Sequence, residues 1–326
     1  MRYWTIGFLL TVFAPKGFCQ SLVFEKDSQL KVECEGGGEG PAWHPALGVF
    51  MTGHDGAINR MDSTGKVSVY RKDAGANGLV FDREGRLLSC EPKQRRITRT
   101  ERDGTIKVLT DSYESHRYNE PNDITLDSKG RIYFTDPCYG DRSKLEMFDA
   151  DKKIVEGVYR IDLNGKVTRI LGRELERPNG ILITPDDKYL YVADNDNNAL
   201  NGARKLYRFD LKSDGSVKLG SRKLIFDWKK GRGPDGLKQD KEGRLYVAGG
   251  LNKPNPPFEP DTNVKGGIYV FDKQGKFLEF LSVPKDEVTN CAFGSEDHKT
   301  LYITGGGTLY SIRTKTPGYL IWPKAK

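Results

Sequence analysis

Histidine and cysteine are scarce in this chain: the 326 residues contain four of the first and five of the second. No two cysteines form a CxxC pair and none has a histidine at zinc-ligand spacing, so neither a zinc site nor a redox motif is indicated. Cys34, Cys90, Cys138 and Cys291 read as isolated thiols, with an unrecognised disulfide as the alternative. His44, His54, His116 and His298 have no serine or carboxylate at motif spacing, which speaks against a nucleophilic triad. A basic run with interleaved aromatics is also missing. The formal net charge of +7 is spread over interspersed acids and bases, so nucleic acid is not an expected partner. Beyond the N-terminus no apolar run is long enough to predict a membrane span. The stretch from Tyr3 to Ala14 follows Arg2, is too short to cross a bilayer, and leads into Pro15-Lys16-Gly17-Phe18-Cys19-Gln20. That order reads as a secretory signal over residues 1–19, cleaved near Cys19, leaving one domain over residues 20–326 that is secreted or periplasmic. A lipid anchor at Cys19 is the weaker alternative, because no proper lipobox precedes it.

Long amphipathic helical patterns are lacking too, and a repeat fills the chain instead. In Arg177 to Asp194 a turn led by Asn179 opens a short apolar strand, which turns at Pro185-Asp186-Asp187-Lys188 and returns to Asp194. The same pattern starts at Glu39, Asn77, Asn122, Asp235 and Asn290, so that six lead positions are spaced by 38 to 57 residues. Each copy carries a further strand, at Gly56–Asp62, Arg96–Arg99, Gly157–Asp162, Lys205–Asp210, Gly267–Asp272 and Thr308–Ile312. Hairpin signals such as Asp103-Gly104 and Asn164-Gly165 lie between copies. Repeats of this period with four short strands each predict an all-β fold, a closed six-bladed β-propeller. The alternating segment Ser21 to Glu33 is expected to complete the last blade beside Thr308–Ile312, because ring closure removes the exposed edges of an open sheet. Insertions at Tyr139–Glu156 and Leu251–Lys265 are expected to form loops around the central opening.

In a propeller the innermost strands line the axis, so residues that begin equivalent strands converge. The ring formed this way presents Glu39, Asn122, Asn179 and Asp235, with Asn77 and Asn290 alongside. Two carboxylates and several amide oxygens, without His or Cys, make a hard-oxygen set suited to Ca2+ or another divalent ion such as Mg2+, Mn2+ or Zn2+. The bland reading is that Asn and Asp begin these strands because they serve turns well. It accounts less readily for Glu39 and for the proline before Asn122, Asn179 and Asp235.

The motifs Glu39-Gly40-Pro41-Ala42-Trp43, Asn77-Gly78-Leu79, Pro121-Asn122-Asp123, Phe134-Thr135-Asp136-Pro137, Arg177-Pro178-Asn179-Gly180, Gly233-Pro234-Asp235-Gly236 and Thr289-Asn290-Cys291, in this order, resemble the regucalcin and gluconolactonase family of six-bladed propellers. Within it the chain is most similar to the bacterial gluconolactonase-like branch. The resemblance implies a central divalent ion, usually calcium, bound by Glu39, Asn122, Asn179 and Asp235, and hydrolysis of a small sugar lactone. In that reading the ion polarises the lactone carbonyl and Asp235 takes the proton of the attacking water. Asn77, Glu91, Arg96, Arg117, Asn119, Tyr139 and Asn290 are candidates for binding substrate hydroxyls, although Arg117 reads equally as a solvated loop residue and Arg96 as a strand-surface charge. Two departures bear on the substrate wall. Thr52-Gly53-His54 stands where the family often has an Asp, and Cys90-Glu91-Pro92-Lys93 lacks a His common in close gluconolactonases. Competing readings are a phosphotriester hydrolase using the same oxygen ring and a binding propeller whose ion is structural. The chain is expected to work as a monomer or dimer.

Overall fold

The computed structural model describes residues 21–323, and the signal segment read over residues 1–19 lies outside them. Six four-stranded antiparallel sheets stand as blades around an axis. Their innermost strands are Glu39–His44, Leu79–Phe81, Ile124–Leu126, Pro178–Ile183, Pro234–Gln239 and Val288–Gly294, and each packs against the innermost strands of both neighbours. Blade one runs outward through Gly48–Thr52 and Ile58–Met61 to Val67–Arg71, and the others repeat that order. The sixth takes its outermost strand from the other end of the chain: Lys31–Glu35 pairs with Thr308–Arg313, Lys31 opposite Ser311 and Glu35 opposite Thr308. The ring closes as the alternation implied, but pairing starts later than Ser21. Asp27 sits at φ 63, so the chain turns there, and among the described residues before Lys31 only Phe24 bridges the sixth blade, opposite Thr314.

The core lies between the blades. Six apolar clusters fill the six interfaces, because the middle strands are buried on both faces and alternate residues face opposite neighbours. In Ile132–Asp136, for example, Phe134 packs with Leu88 and Ile97 of blade two, while Tyr133 packs with Ile181 and Leu190 of blade four. The closing interface is small, with Leu309 of blade six against Val49, Met51 and Met61 of blade one. Hairpins are tied by one device: in Asp-x-x-Gly-Arg turns the aspartate accepts the N–H groups two and four residues on. Asp82 receives Glu84 and Arg86 at 3.0 and 2.9 Å, and Asp240 receives Glu242 and Arg244, both at 2.9 Å. The four described cysteines are free thiols.

The two ends of the channel differ. The ends of the inner strands away from the leads, among them Ala42, Phe81, Ile183 and Phe293, are covered by the C-terminal segment Tyr319–Trp322, which leaves a space of only about 80 Å³. Trp322 is held there against His44 and Phe81, with ring centroids 4.7 and 5.9 Å apart. Access to the axis is therefore from the end where the leads lie.

Candidate active site

Four of the inner strands are irregular at their first residues. Pairing runs Glu39 with Thr52 and then skips to Ala42 with Phe50; the same skip separates Pro178 from Ile181 and Pro234 from Leu237, and a related shift separates Val288 from Asn290. Such bulges turn side chains out of the ladder, and here they direct Glu39, Asn179 and Asp235 to the axis. A second device brings the leads close. Glycine follows Glu39, Asn77, Asn179 and Asp235, and a Cβ at Gly180 would lie 2.0 Å from the Asp235 carbonyl oxygen. Threonines of one blade then fix the lead of the next: Thr52 Oγ1 donates to the Asn77 carbonyl at 2.7 Å, and Thr135 Oγ1 to the Asn179 carbonyl at 2.6 Å.

The result is a cavity of about 610 Å³ at the open end, lined by Glu39, Asn122, Asn179 and Asp235 together with Asn77 and Tyr139. Asn290 is not on its wall but stands behind it, with Nδ2 3.5 Å from Glu39 Oε2. Burial pushes the Glu39 carboxyl up to about 8, partly opposed by the Gly40 N–H that donates to it at 2.9 Å. Asp235 is held well above the usual carboxylate range, first by burial and then by the charge of Glu39. Asp235 Oδ1 and Asn77 Oδ1 are buried and accept no hydrogen bond from the protein. Unfilled acceptors on a buried carboxylate and an amide are costly in isolation and are what a hard cation satisfies. The donor set therefore fits a divalent ion. Among the described residues no group of three or more His, Cys, Asp or Glu side chains is gathered to hold one, so an ion here would draw the rest of its ligands from amide oxygens.

Besides Asn290, four residues assigned to substrate from the sequence are not on this wall. Glu91 is fully buried in blade two, facing Arg96 across a hairpin, and its carboxylate is taken by Arg71, by Arg96 Nε at 2.7 Å and by Thr98 Oγ1 at 2.5 Å. The Glu91 carboxylate is thereby taken up within its own blade, and Arg96 is turned to it rather than to the cavity. Arg117 is exposed on the small hairpin Ser112–Tyr113/His116–Arg117 and donates to the Gln94 carbonyl at 2.6 Å. Asn119 is buried, its Nδ2 donating to the carbonyls of Asp136 at 3.0 Å and Val155 at 2.9 Å. The wall includes His54, from the segment already read as part of it, and three residues that sequence reasoning missed: Arg232, Asp286 and Glu287. Arg232 is clamped between Glu259, at 2.9 Å, and Glu287, at 2.7 Å. Of the two long insertions, the first supplies Tyr139 to the wall, whereas the second supplies only Glu259, behind Arg232. Two of the missed residues share a signal: Arg232 and Glu287 lie three positions before the leads Asp235 and Asn290.

Residues 37–307 match the family described as SMP-30/Gluconolactonase/LRE-like region. The chain belongs to that family. Among curated members, a gluconolactonase of Zymomonas mobilis is 30% identical over 254 residues, which are 76% of this chain and 65% of that protein. A pentonolactonase of Haloferax volcanii is 25% identical, covering 83% of this chain and 81% of its own. A lactonohydrolase of Aspergillus oryzae is 25% identical over 64% of this chain and 48% of that protein, so this chain spans about half to two thirds of two of these relatives. Among solved structures, a gluconolactonase of Xanthomonas campestris superposes with a TM-score of 0.73 at 28% identity, covering 89% of this chain and 91% of that one. A calcium-binding regucalcin of Agrobacterium tumefaciens superposes at 0.69 over 90% and 96%, and its 18% identity makes that a likeness of fold alone.

Proposed function

We propose that this family member is a divalent-metal-dependent hydrolase that opens sugar lactones, with Glu39, Asn122, Asn179 and Asp235 holding the ion and Ca2+ as the first candidate. Family membership and the lactone-acting relatives support the reaction class. The observation that carries the site is the pairing of Glu39 with Asp235 in one cavity, with Asp235 Oδ1 buried and unpaired. A bound ion supplies a Lewis acid for the lactone carbonyl. The protein's own groups supply the proton transfer and the enclosure. Asp235, on the cavity wall, accepts the proton of the attacking water. Water adds at the carbonyl carbon, the ring C–O bond breaks, and the departing ring oxygen takes the proton back from Asp235 and leaves as a hydroxyl. Asn77, whose Oδ1 has no partner in the protein, is placed to accept from a sugar hydroxyl on the wall or to complete the ion's shell.

Hydrolysis of D-glucono-1,5-lactone, followed by proton release against a no-enzyme control, is expected to exceed background, to vanish on chelation and to return with calcium. A calcium-loaded protein with no rate above the control would reject this substrate.

The Glu39 carboxyl makes a second test. With its titration pushed up to about 8, the metal-free site carries a proton at neutral pH that an ion must displace, so Ca2+ affinity is expected to rise between about pH 6 and about pH 9. The metal-free fold has the opposite trend. It favours the neutral acid, so this contribution to stability is complete below the unfolded value near 4.5 and is lost as pH rises through about 8. Glu39→Gln should weaken both slopes and leave the part that the buried Asp235 carries; calorimetric affinities that show no pH dependence in the unmodified protein would refute the assignment.

A further inference from the structure

Tyr139 stands on the cavity wall, where a hydroxyl-binding role for substrate is the obvious reading, but its hydroxyl is already committed. Its Oη lies 3.1 Å from the backbone carbonyl of Asn195 and 3.0 Å from Nδ2 of Asn179. A carbonyl can only accept, so the hydroxyl must donate to Asn195 and can only accept from Asn179. That direction settles which end of the Asn179 amide faces the tyrosine. Nδ2 is turned to Tyr139, and Oδ1 is left for the cavity; among the described residues no donor reaches Oδ1.

The tyrosine is itself held from three sides. Its backbone N–H donates to Glu120 Oε2 at 2.8 Å, and the N–H of Gly140 joins the same oxygen at 3.0 Å. Its ring lies under the Arg177 guanidinium, 5.3 Å from the centroid. Arg177 cannot drift, since it is buried and pinned by Glu156 at 3.1 Å and Asp196 at 3.0 Å. A side chain anchored at backbone, ring and hydroxyl is built to hold one orientation.

We infer that Tyr139 is a positioning residue for the metal site: it fixes the Asn179 amide with its oxygen toward the ion, and the Asn195 carbonyl sets the direction of the relay. The inference rests on the proposed role of Asn179 as an ion ligand. Without the hydroxyl the amide has two faces of similar energy, one presenting NH2 to a cation, and part of the binding free energy goes to selecting the right one. With a carboxylate at position 179 both oxygens are acceptors, and the tyrosine has nothing to select.

The test is calcium binding to the full chain by calorimetry, with activity as a second readout. Tyr139→Phe keeps the ring under Arg177 and is expected to weaken Ca2+ binding about tenfold, with KM for the lactone unchanged once calcium is saturating. In an Asn179→Asp background the same change is expected to cost less than about twofold, a non-additivity that marks the two side chains as one unit. Unaltered calcium affinity with a raised KM would overturn the proposal and return Tyr139 to the substrate. An equal loss in both backgrounds would also overturn it, since general damage to the loop does not depend on what occupies position 179. An unmodified protein that binds no Ca2+ would refute the metal site as a whole, and this role with it.

Discussion

Asp235→Asn is expected to lower the lactone-opening rate by about 10²–10⁴-fold while the propeller stays folded. The substitution preserves shape and an oxygen donor, so an ion can still be held, but an amide cannot take a proton from water. Its stability effect should have the opposite sign. Asp235 is buried with one unpaired oxygen, and burial and the charge of Glu39 both disfavour its ionised form, with Arg232 only partly opposing them, so a neutral amide in the metal-free protein removes a group that is costly to ionise there. The melting temperature in the presence of a chelator is therefore expected to stay level or rise, even as the rate collapses. Rates and melting curves on one preparation distinguish the cases: full activity would remove Asp235 from the reaction, and a large loss of stability would show that its carboxylate is a structural member of the ring.

Gly180→Ala is expected to carry the largest cost to the fold among single-methyl changes at the site. The added carbon would lie 2.0 Å from the Asp235 carbonyl oxygen and 2.9 Å from the Gly236 Cα, both backbone atoms of the next blade, so no side chain can swing away. The blades must separate, at about 3 kcal/mol, which lowers the melting temperature by roughly 5–10 °C. Because the strain falls between two proposed ligands, calcium affinity should drop with it. Gly220→Ala is the control. Nothing lies within 4 Å of its Cβ position, and its change is expected to stay within about 0.5 kcal/mol. Equal melting temperatures for the two variants would mean that the inner strands do not approach as closely as described.

The glycine after four of the six leads also shows how much of the site can be read from the chain. Glu39-Gly40, Asn77-Gly78, Asn179-Gly180 and Asp235-Gly236 announce an axis where backbones meet. Each is local, and each ends in the cavity or against it. At the third lead the same position is Asp123, whose carboxylate is buried and accepts the N–H groups of Ile124 at 2.9 Å and Ile181 at 3.4 Å. The departure in the repeat is thus a contact between blades three and four, and only the neighbouring strand explains it.

What the sequence by itself determined was the repeat, and with it the blade number, the closure by an N-terminal strand and the identity of the ring. Alternation, turn residues and lead motifs are all set within a few residues of one another, so they survive being read in one dimension. Tertiary structure decided the second tier. Glu91 and Arg96 looked available until the hairpin register placed them face to face. Arg232 and Glu287 carry no motif of their own, and it is the ring that brings them to the same wall. Tyr139 acquired its role from a carbonyl 56 residues away. Which polar groups remain free for a ligand depends on which others lie within 3 Å of them, and in a propeller those neighbours come from the next blade.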